Sequence, residues 1–382
     1  MQNNIPQLFR VALVYDRVNT FGGAERVLQN LHELYPDAPL YTSVYDPAGA
    51  PWTKKWDVRP SFLQRFSWLR THHEWLGLFM PLAFELFDFS AFDLVISVTS
   101  EAAKGIITKP GTTHVCYLLT PTRYLWSHAK QYEQDYFHGV RKIFLPFYRI
   151  VLRYLRTWDT VAAQRPDVII PISKVVERRV KKYYTRKTAK VLYPPVATHL
   201  FEQRDVSSIS PFPWKRWYLC VSRLVPYKRI DSAIHACRAM KRHLVIVGKG
   251  NDERRLRGIA GNSPYIQFVG HLTDEELVRY YQHCFALLLS GEEDFGIVAV
   301  EAMAAGAPVA TYMKSGNAEV VIPGKTGVHI VSQTTRGIQE AIRTLENTRF
   351  TKRDIQEYAK QYDESVFKRT WEEQICLITS LP

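Results

Sequence analysis

The sequence predicts an α/β protein made of two doubly wound parallel-sheet units, and three observations carry that expectation. A chain of 382 residues and 44.3 kDa exceeds what one hydrophobic core ordinarily supports, so two domains are favoured over one. Apolar runs of strand length alternate with segments of helical spacing through both halves, the pattern of parallel strands covered on both faces. That rhythm lapses between Pro194 and Pro213, where a Pro- and Ser-bearing stretch reads as a linker.

The first unit opens with the apolar run Val11–Tyr15, a polar loop ending in Gly22-Gly23, and a helical pattern from Ala24 to Leu34, which together make a βα unit. Further strands are expected at Leu94–Val98, His114–Leu118, Val168–Ile172 and Val191–Tyr193. In the second unit they are expected at Trp217–Ser222, His243–Val247, Ile266–Val269, Ala286–Ser290 and Pro308–Thr311, with helices starting near Asp231, Asp252, Thr273 and Ile297. One long charged helix is expected from Thr351 to Thr379.

Composition narrows the class. Hydrophobic residues make up 46% and charged residues 23%, which excludes a disordered or collagen-like chain. Cys116, Cys220, Cys237, Cys284 and Cys376 are scattered, with no CxxC pair and no His cluster at ligand spacing. A disulfide framework or structural zinc is therefore not expected, and a reducing compartment is. No run reaches the roughly 18 to 20 apolar residues of a membrane span, and Met1–Phe9 lack signal-peptide character. The expectation is a soluble cytoplasmic protein.

The net charge of +13 is concentrated. Residues 1–140 carry 12 basic and 13 acidic groups, residues 141–190 carry 14 and 3, and residues 201–382 carry 24 and 21. The middle band implies attraction to an anion, whether nucleic acid, a membrane surface or a phosphate-bearing substrate. Within it, Lys142, Arg149, Arg153 and Arg156 fall on one face of a helix whose other faces are rich in Phe, Ile, Leu and Tyr. That composition suits either an interfacial helix or a core helix with a solvated stripe.

The segment Ser290-Gly-Glu-Glu-Asp-Phe-Gly-Ile-Val-Ala-Val-Glu301 carries the strongest chemical signal. A strand ends, an acidic turn follows, and a helix starts near Ile297, so the amides of Phe295, Gly296 and Ile297 face whatever ligand is bound. Capping and dipole complementation would account for Glu292 or Asp294, but not for Glu301 between Val300 and Ala302.

Glu293 and Glu301, with seven residues between them and Ala-Met-Ala-Ala-Gly-Ala-Pro-Val after, resemble the E-x7-E signature of retaining glycosyltransferases of family 4. Gly22-Gly23-Ala24-Glu25 resembles that family's first glycine loop, and Val221 to Arg229 its phosphate-binding strand and turn. Val247-Gly248-Lys249-Gly250 resembles the loop that meets the nucleotide base. Pro171–Lys174 and Tyr193–Val196 match the N-domain edge and linker. The resemblance implies the GT-B fold, two Rossmann-like domains with a C-terminal helix crossing back to the first. Residues 1–200 would bind acceptor, 201–360 would bind donor, and 361–382 would form the returning helix.

The resemblance also implies roles. Arg223 and Lys228 would meet the diphosphate, whose charge grows as the glycosidic bond breaks, and each well-placed donor there is worth about 3–4 kcal/mol. Glu293 would hold the transferred sugar and Glu301 the ribose; Gly22, Gly23, Gly248, Lys249, Phe295, Gly296 and Ile297 would complete the donor site. Thr120, Arg123 and Tyr124 are expected to contact acceptor, and Lys142, Arg149, Arg153 and Arg156 a membrane. No Asp-x-Asp pair is present, and no metal or other cofactor is expected. One departure stands out: Leu119 occupies the place, before Thr120-Pro121, where many members have a sugar-contacting His. A leucine can neither donate a hydrogen bond nor carry a proton, so His114, Thr120, Arg123 or Tyr124 would have to substitute.

The expected reaction is retaining transfer of a hexose to a glycan or polyprenyl-diphosphate-linked acceptor at the inner membrane face. GDP-mannose is expected first, because the Glu293–Glu301 form of the signature, Tyr227-Lys228-Arg229 after Arg223 and the Thr120–Trp126 segment together look most like mannosyltransferases of surface-polysaccharide pathways; a UDP-hexose stands second. A dehydrogenase fails because Gly248-Lys249-Gly250 lacks the third glycine of the dinucleotide fingerprint. A nucleic-acid binder would use Lys181, Lys182, Arg186, Lys187 and Lys190, but no nucleic-acid module accompanies them. A non-catalytic nucleotide-sugar binder is argued against by the presence of both glutamates with Arg223 and Lys228.

Overall fold

The computed structural model describes residues 9–66, 77–136, 144–202 and 210–380. These fall into two units: Met1–Tyr193 with Lys368–Pro382, and Pro194–Phe367. The chain passes from the first unit into the second at Tyr193 and returns at Lys368.

In the first unit, β1 (Val11–Tyr15), β2 (Leu40–Thr42), β3 (Val58–Pro60), β4 (Leu94–Thr99), β5 (Thr113–Leu118) and β6 (Val168–Pro171) are all parallel, in the order β3-β2-β1-β4-β5-β6. Every residue of β4 is buried, which is why it reads as an unbroken apolar run rather than an alternating one. The helices are α1 (Gly23–Leu34), α2 (Met80–Glu85), α3 (Ala129–Tyr136), α4 (Leu145–Ala162) and α5 (Lys174–Tyr184). Ser173 starts α5 by accepting a hydrogen bond from the Val176 amide at 3.1 Å, so the Pro171–Lys174 segment is a strand end plus an N-cap.

In the second unit, β7 (Trp217–Val221), β8 (His243–Val247), β9 (Ile266–Gly270), β10 (Ala286–Leu289), β11 (Val309–Tyr312) and β12 (Gly327–Ile330) are parallel in the order β12-β11-β10-β7-β8-β9. They are accompanied by α6 (Thr198–Glu202), α7 (Ile230–Ala239), α8 (Glu253–Ala260), α9 (Asp274–His283), α10 (Ile297–Ala304), α11 (Thr335–Asn347) and α12 (Lys352–Ala359). A final helix, α13 (Glu364–Thr379), carries the chain back into the first unit. In each sheet the strand order reverses beside the first strand, between β1 and β4 and between β7 and β10. Such reversals open a crevice at the carboxyl ends of the strands, where ligands of open α/β sheets bind.

Two sequence expectations need correction. Val191–Tyr193 is not a strand: Ala189 and Leu192 bond singly to the Ile169 and Pro171 carbonyls, and the Leu192 carbonyl is turned to the Tyr117 hydroxyl at 2.9 Å, so no ladder forms. The helix expected from Thr351 to Thr379 is broken at Lys360–Tyr362. There Asp363 takes the Ser365 amide and hydroxyl on one oxygen and the Thr198 hydroxyl on the other, ending one helix and starting the next.

His114, at the start of β5, is fully buried with its Nε2 2.8 Å from the Ser97 hydroxyl; desolvation holds its pKa down to about 3. The imidazole is neutral when folded but takes a proton near 6.5 when unfolded, so it favours unfolding as pH falls below 6.5. Stability is expected to drop from pH 7 to pH 5 by about 2 kcal/mol more in the wild type than in His114→Asn. Denaturant unfolding at the two pH values reads this, and equal losses would refute it.

Candidate functional site

In the second unit, the turn after β7 and the turn after β10 meet at the strand-order reversal. Gly291 packs on the backbone of Lys228 so tightly that a Cβ there would lie 2.4 Å from the Lys228 Cα. The Ser290 hydroxyl donates to the Arg229 carbonyl at 2.8 Å. The two turns are thereby stitched together, and the Lys228 ammonium, largely buried, pairs with the Glu293 carboxylate. Cys220, Ser222, Leu289 and Ser290 line the same depression. Burial pushes the Cys220 thiol up to about 12, so it is no nucleophile there.

Arg223 is exposed and donates to the Tyr227 hydroxyl at 3.0 Å, while the Lys228 ammonium stands 5.2 Å from the centre of the Tyr227 ring. One tyrosine therefore orients both cations. Gly248 and Gly250 follow β8. A Cβ on either would come within 2.1 Å of the Ser222 or Leu224 carbonyl oxygen, so these glycines serve the close approach of two loops. Lys249 is exposed on that loop, and its carbonyl accepts from the Leu224 amide at 3.0 Å.

Beyond Glu293 the acidic turn is held from beneath. Its amide donates to the Ser315 hydroxyl at 2.9 Å and its carbonyl accepts from the Gly316 amide at 2.8 Å. Phe295 is buried, with its ring 6.0 Å from that of Tyr362. Gly296 has φ +81°, and a Cβ there would overlap the Asn317 side chain, so only glycine fits. Asn317 is itself fully buried, and neither atom of its amide has a hydrogen-bond partner among the described residues. Ile297 then opens α10, with Gly296 as its N-cap. Glu301, one turn into α10, is buried and accepts from the Tyr281 hydroxyl of α9 at 3.0 Å.

The first unit has its own polar cluster at the β1/β4 reversal. Asp16, buried after β1, accepts from the Thr99 hydroxyl and the amides of Ser100, Glu101, Ala102 and Ala103, at 2.7–3.0 Å. Arg17 pairs with Glu101 at 2.5 Å; burial raises the Glu101 carboxyl above its ordinary range, against the pull of Arg17. Gly22 caps α1 in extended backbone, and Gly23 begins the helix. Glu25 accepts from Tyr15 at 2.6 Å, and burial raises its carboxyl.

The Thr120–Trp126 segment is held by a buried anion. Asp159 of α4 accepts from Lys104 at 2.5 Å, Thr122 at 3.0 Å, and Trp126 and Tyr184 at 2.7 Å each. Thr120 is buried and accepts from Arg179 at 3.2 Å; Tyr124 lines a cavity with Glu101 and Leu155; Arg123 is half-buried in the same turn. Of the groups expected to substitute at Leu119, His114 is corrected: it sits at the opposite end of β5, sealed and neutral.

The helical cations are not equivalent. Arg149 pairs with Glu133 at 2.6 Å, Arg153 is exposed, and Arg156 turns to the Leu125 carbonyl and the Trp126 ring. Lys142 lies outside the described residues. Part of the basic band is structural, since Arg165, Arg179 and Arg186 also bond to groups of their own unit. Among the described residues no three His, Cys, Asp or Glu side chains converge to hold a metal.

Residues 205–362 match the family described as Glycosyl transferases group 1. The match lies within the second unit and spans most of it. An uncharacterized glycosyltransferase of Methanocaldococcus jannaschii is 26% identical over 215 residues, 55% of this chain and 58% of that protein. A GDP-mannose-dependent alpha-(1-6)-phosphatidylinositol monomannoside mannosyltransferase of Mycobacterium tuberculosis is 28% identical over 259 residues, 60% of this chain and 63% of that one. The matches thus span less than two thirds of either relative. Among solved structures, Anabaena HepE in complex with UDP and glucose superposes with a TM-score of 0.71 at 19% identity, covering 96% of this chain and 99% of that one. The two six-stranded sheets accordingly make the GT-B fold, and the matched residues 205–362 fall in its second unit.

The sequence did not single out Tyr227, Tyr281, Ser315 or Asn317. Tyr227 could have been found, because it lies within the Val-Pro-Tyr-Lys-Arg run; the others come from elements distant in sequence.

Proposed function

We propose that the protein is a retaining glycosyltransferase that moves a hexose from a nucleotide sugar to a glycan or a polyprenyl-diphosphate-linked glycan. The observation that carries the reading is the Lys228–Glu293 pair at the β7/β10 reversal, beside the head of α10. A bound diphosphate would take the Lys228 ammonium, reinforced by Arg223 from the rim. Release from Lys228 would leave the Glu293 carboxylate to accept hydroxyls of the sugar. Glu301, already oriented by Tyr281, would accept the ribose hydroxyls, with Gly248 and Lys249 near the base. As the glycosidic bond breaks, the growing phosphate charge is met by fixed cations and helix amides. The departing phosphate oxygen would take the acceptor's proton on the same face, so configuration is retained.

Mannose from GDP-mannose is the preferred donor, supported by the Mycobacterium tuberculosis relative. A UDP-hexose is the second reading, favoured by the HepE complex with UDP and glucose. The first unit would bind acceptor, with Thr120, Arg123 and Tyr124 beside Glu101. No helix among the described residues is long and apolar enough to cross a membrane.

A nucleotide that binds only the native state adds about 2.7 kcal/mol at 100 times its dissociation constant. For a unit of this size that is a rise in melting temperature of roughly 5–10 °C. In a thermal-shift panel GDP is expected to exceed UDP, and ADP to give nothing. A larger UDP shift would reverse the donor order, and no shift with any nucleotide would refute the function.

A further inference from the structure

Two neighbouring helices of the first unit turn large apolar side chains to solvent. α4 directs Leu152, Leu155 and Asp159 inward, and on its far side Phe147, Ile150 and Tyr154 are 67%, 68% and 57% exposed. At α2, Phe79, Leu82 and Leu86 are 48%, 48% and 65% exposed. The helices abut: the Trp158 ring nitrogen of α4 donates to the Glu85 carboxylate at the end of α2 at 2.8 Å, and Arg165 reaches the same oxygen at 2.6 Å. At 100° per residue, Trp158 lies between the inward and outward faces of α4, on the α2 side. The α2 row therefore extends the α4 row instead of standing apart from it. Arg149 and Arg153 border the opposite edge.

Exposed apolar residues are ordinary when scattered, but a contiguous row on two helices marks an interaction surface. Charge selects the partner. Residues 141–190 hold 14 basic and 3 acidic groups, and one of those acids, Asp159, is buried among its donors. Lys174, Lys181 and Lys182 are exposed on α5, which is tied to α4 through Trp126, stacked on Tyr183 and lying 5.8 Å from Arg156. A second copy of the chain would set like charge against like. An anionic bilayer accepts both parts, the apolar row among acyl chains and the cations at the headgroups.

We propose that this face docks the first unit on an anionic phospholipid surface through α2 and α4, with Arg149 and Arg153 at its edge. The proposal deepens the function above and rests on its reading that the acceptor is held in a membrane. Its test uses no sugar nucleotide, so the two can fail separately. The full chain is sedimented with vesicles of phosphatidylcholine alone and of phosphatidylcholine mixed with phosphatidylglycerol. Wild type is expected in the pellet with the mixed vesicles, and less so as salt is raised. Leu82→Ser combined with Ile150→Ser is expected to lower partition at least tenfold on either vesicle. Arg153→Gln is expected to lower it about fivefold, on the anionic vesicle only. Both variants should keep the wild-type melting temperature and circular-dichroism spectrum, which establishes that they fold. Wild type left in the supernatant, or the double variant pelleting like wild type, overturns the proposal. So does a concentration-dependent dimer that the double variant abolishes, which would give this face to a second copy.

Discussion

Lys228→Ala and Glu293→Ala are each expected to lower turnover at saturating nucleotide sugar by at least about a hundredfold, the scale of losing one contact made chiefly in the transition state. The two side chains face each other in the unliganded site, which makes the comparison informative. Were the pair only structural, losing either partner would leave a poorly solvated charge, lower the melting temperature, and be repaired by changing both. In the proposed mechanism the partners separate on substrate binding and serve different groups, Lys228 the diphosphate and Glu293 the sugar. Lys228→Ala should then weaken the nucleotide thermal shift, whereas Glu293→Ala should preserve or increase it, since the ammonium no longer has to leave a carboxylate. The double variant should be no faster than the slower single one. Near-normal turnover in both single variants, or recovery in the double, would refute the assignment.

Asp159→Ala should be the most damaging single change in the first unit. Asp159 is 1% exposed and accepts from Lys104, Thr122, Trp126 and Tyr184, and the Lys104 side chain is itself fully buried. Removing the carboxylate leaves an ammonium without its counter-charge and the Trp126 and Tyr184 donors without an acceptor. Breaking a buried pair in this way typically costs about 3–5 kcal/mol. Whole domains have only about 5–15 kcal/mol, so loosening of the Thr120–Trp126 turn is the expected result, read by denaturant unfolding and by hydrogen exchange at those amides. Lys104→Met with Asp159→Leu should recover much of the loss, because an apolar pair of similar volume avoids the desolvation cost of two ions. A loss below about 1 kcal/mol in Asp159→Ala would show that the charges are not what holds this turn.

The sequence announced every interior strand except β2, and the edge strands β6 and β9 as well. β1, β4, β5, β7, β8 and β10 are buried on both faces and spell long apolar runs, so composition alone marks them. The strands it concealed lie toward the edges: β2 and β3 have three residues each, β3 includes Pro60, and β12 is Gly-Val-His-Ile. Val191–Tyr193 has the right composition and the wrong hydrogen bonds. The site divides similarly. Glu293, Glu301, Arg223 and Lys228 were legible because each sits in a turn or first helical turn whose pattern is local. That Lys228 and Glu293 touch, that Tyr227 orients two cations, and that Asn317 is sealed against Gly296 depend on contacts no local pattern encodes. The Thr120–Trp126 segment suggested ligand contact by its residues. Two of its polar side chains, Thr122 and Trp126, turn out to serve Asp159, and charge counts could not reveal that the band's arginines are divided between scaffold and surface.

The return of the chain at Lys368 bears on how the protein is made. Trp371 is completely buried in the first unit, donates to the Tyr35 hydroxyl at 3.2 Å and packs edge-on against Tyr117, while Lys368 reaches Glu33. Tyr35 and Trp371 are 336 residues apart, a delay on the order of half a minute at about 5–20 residues per second on the ribosome. During that interval the nascent first sheet has an open seat where Trp371 will go, whereas Pro194–Phe367 is one uninterrupted stretch and can close as soon as it has emerged. The order of completion is thus the reverse of the order of translation.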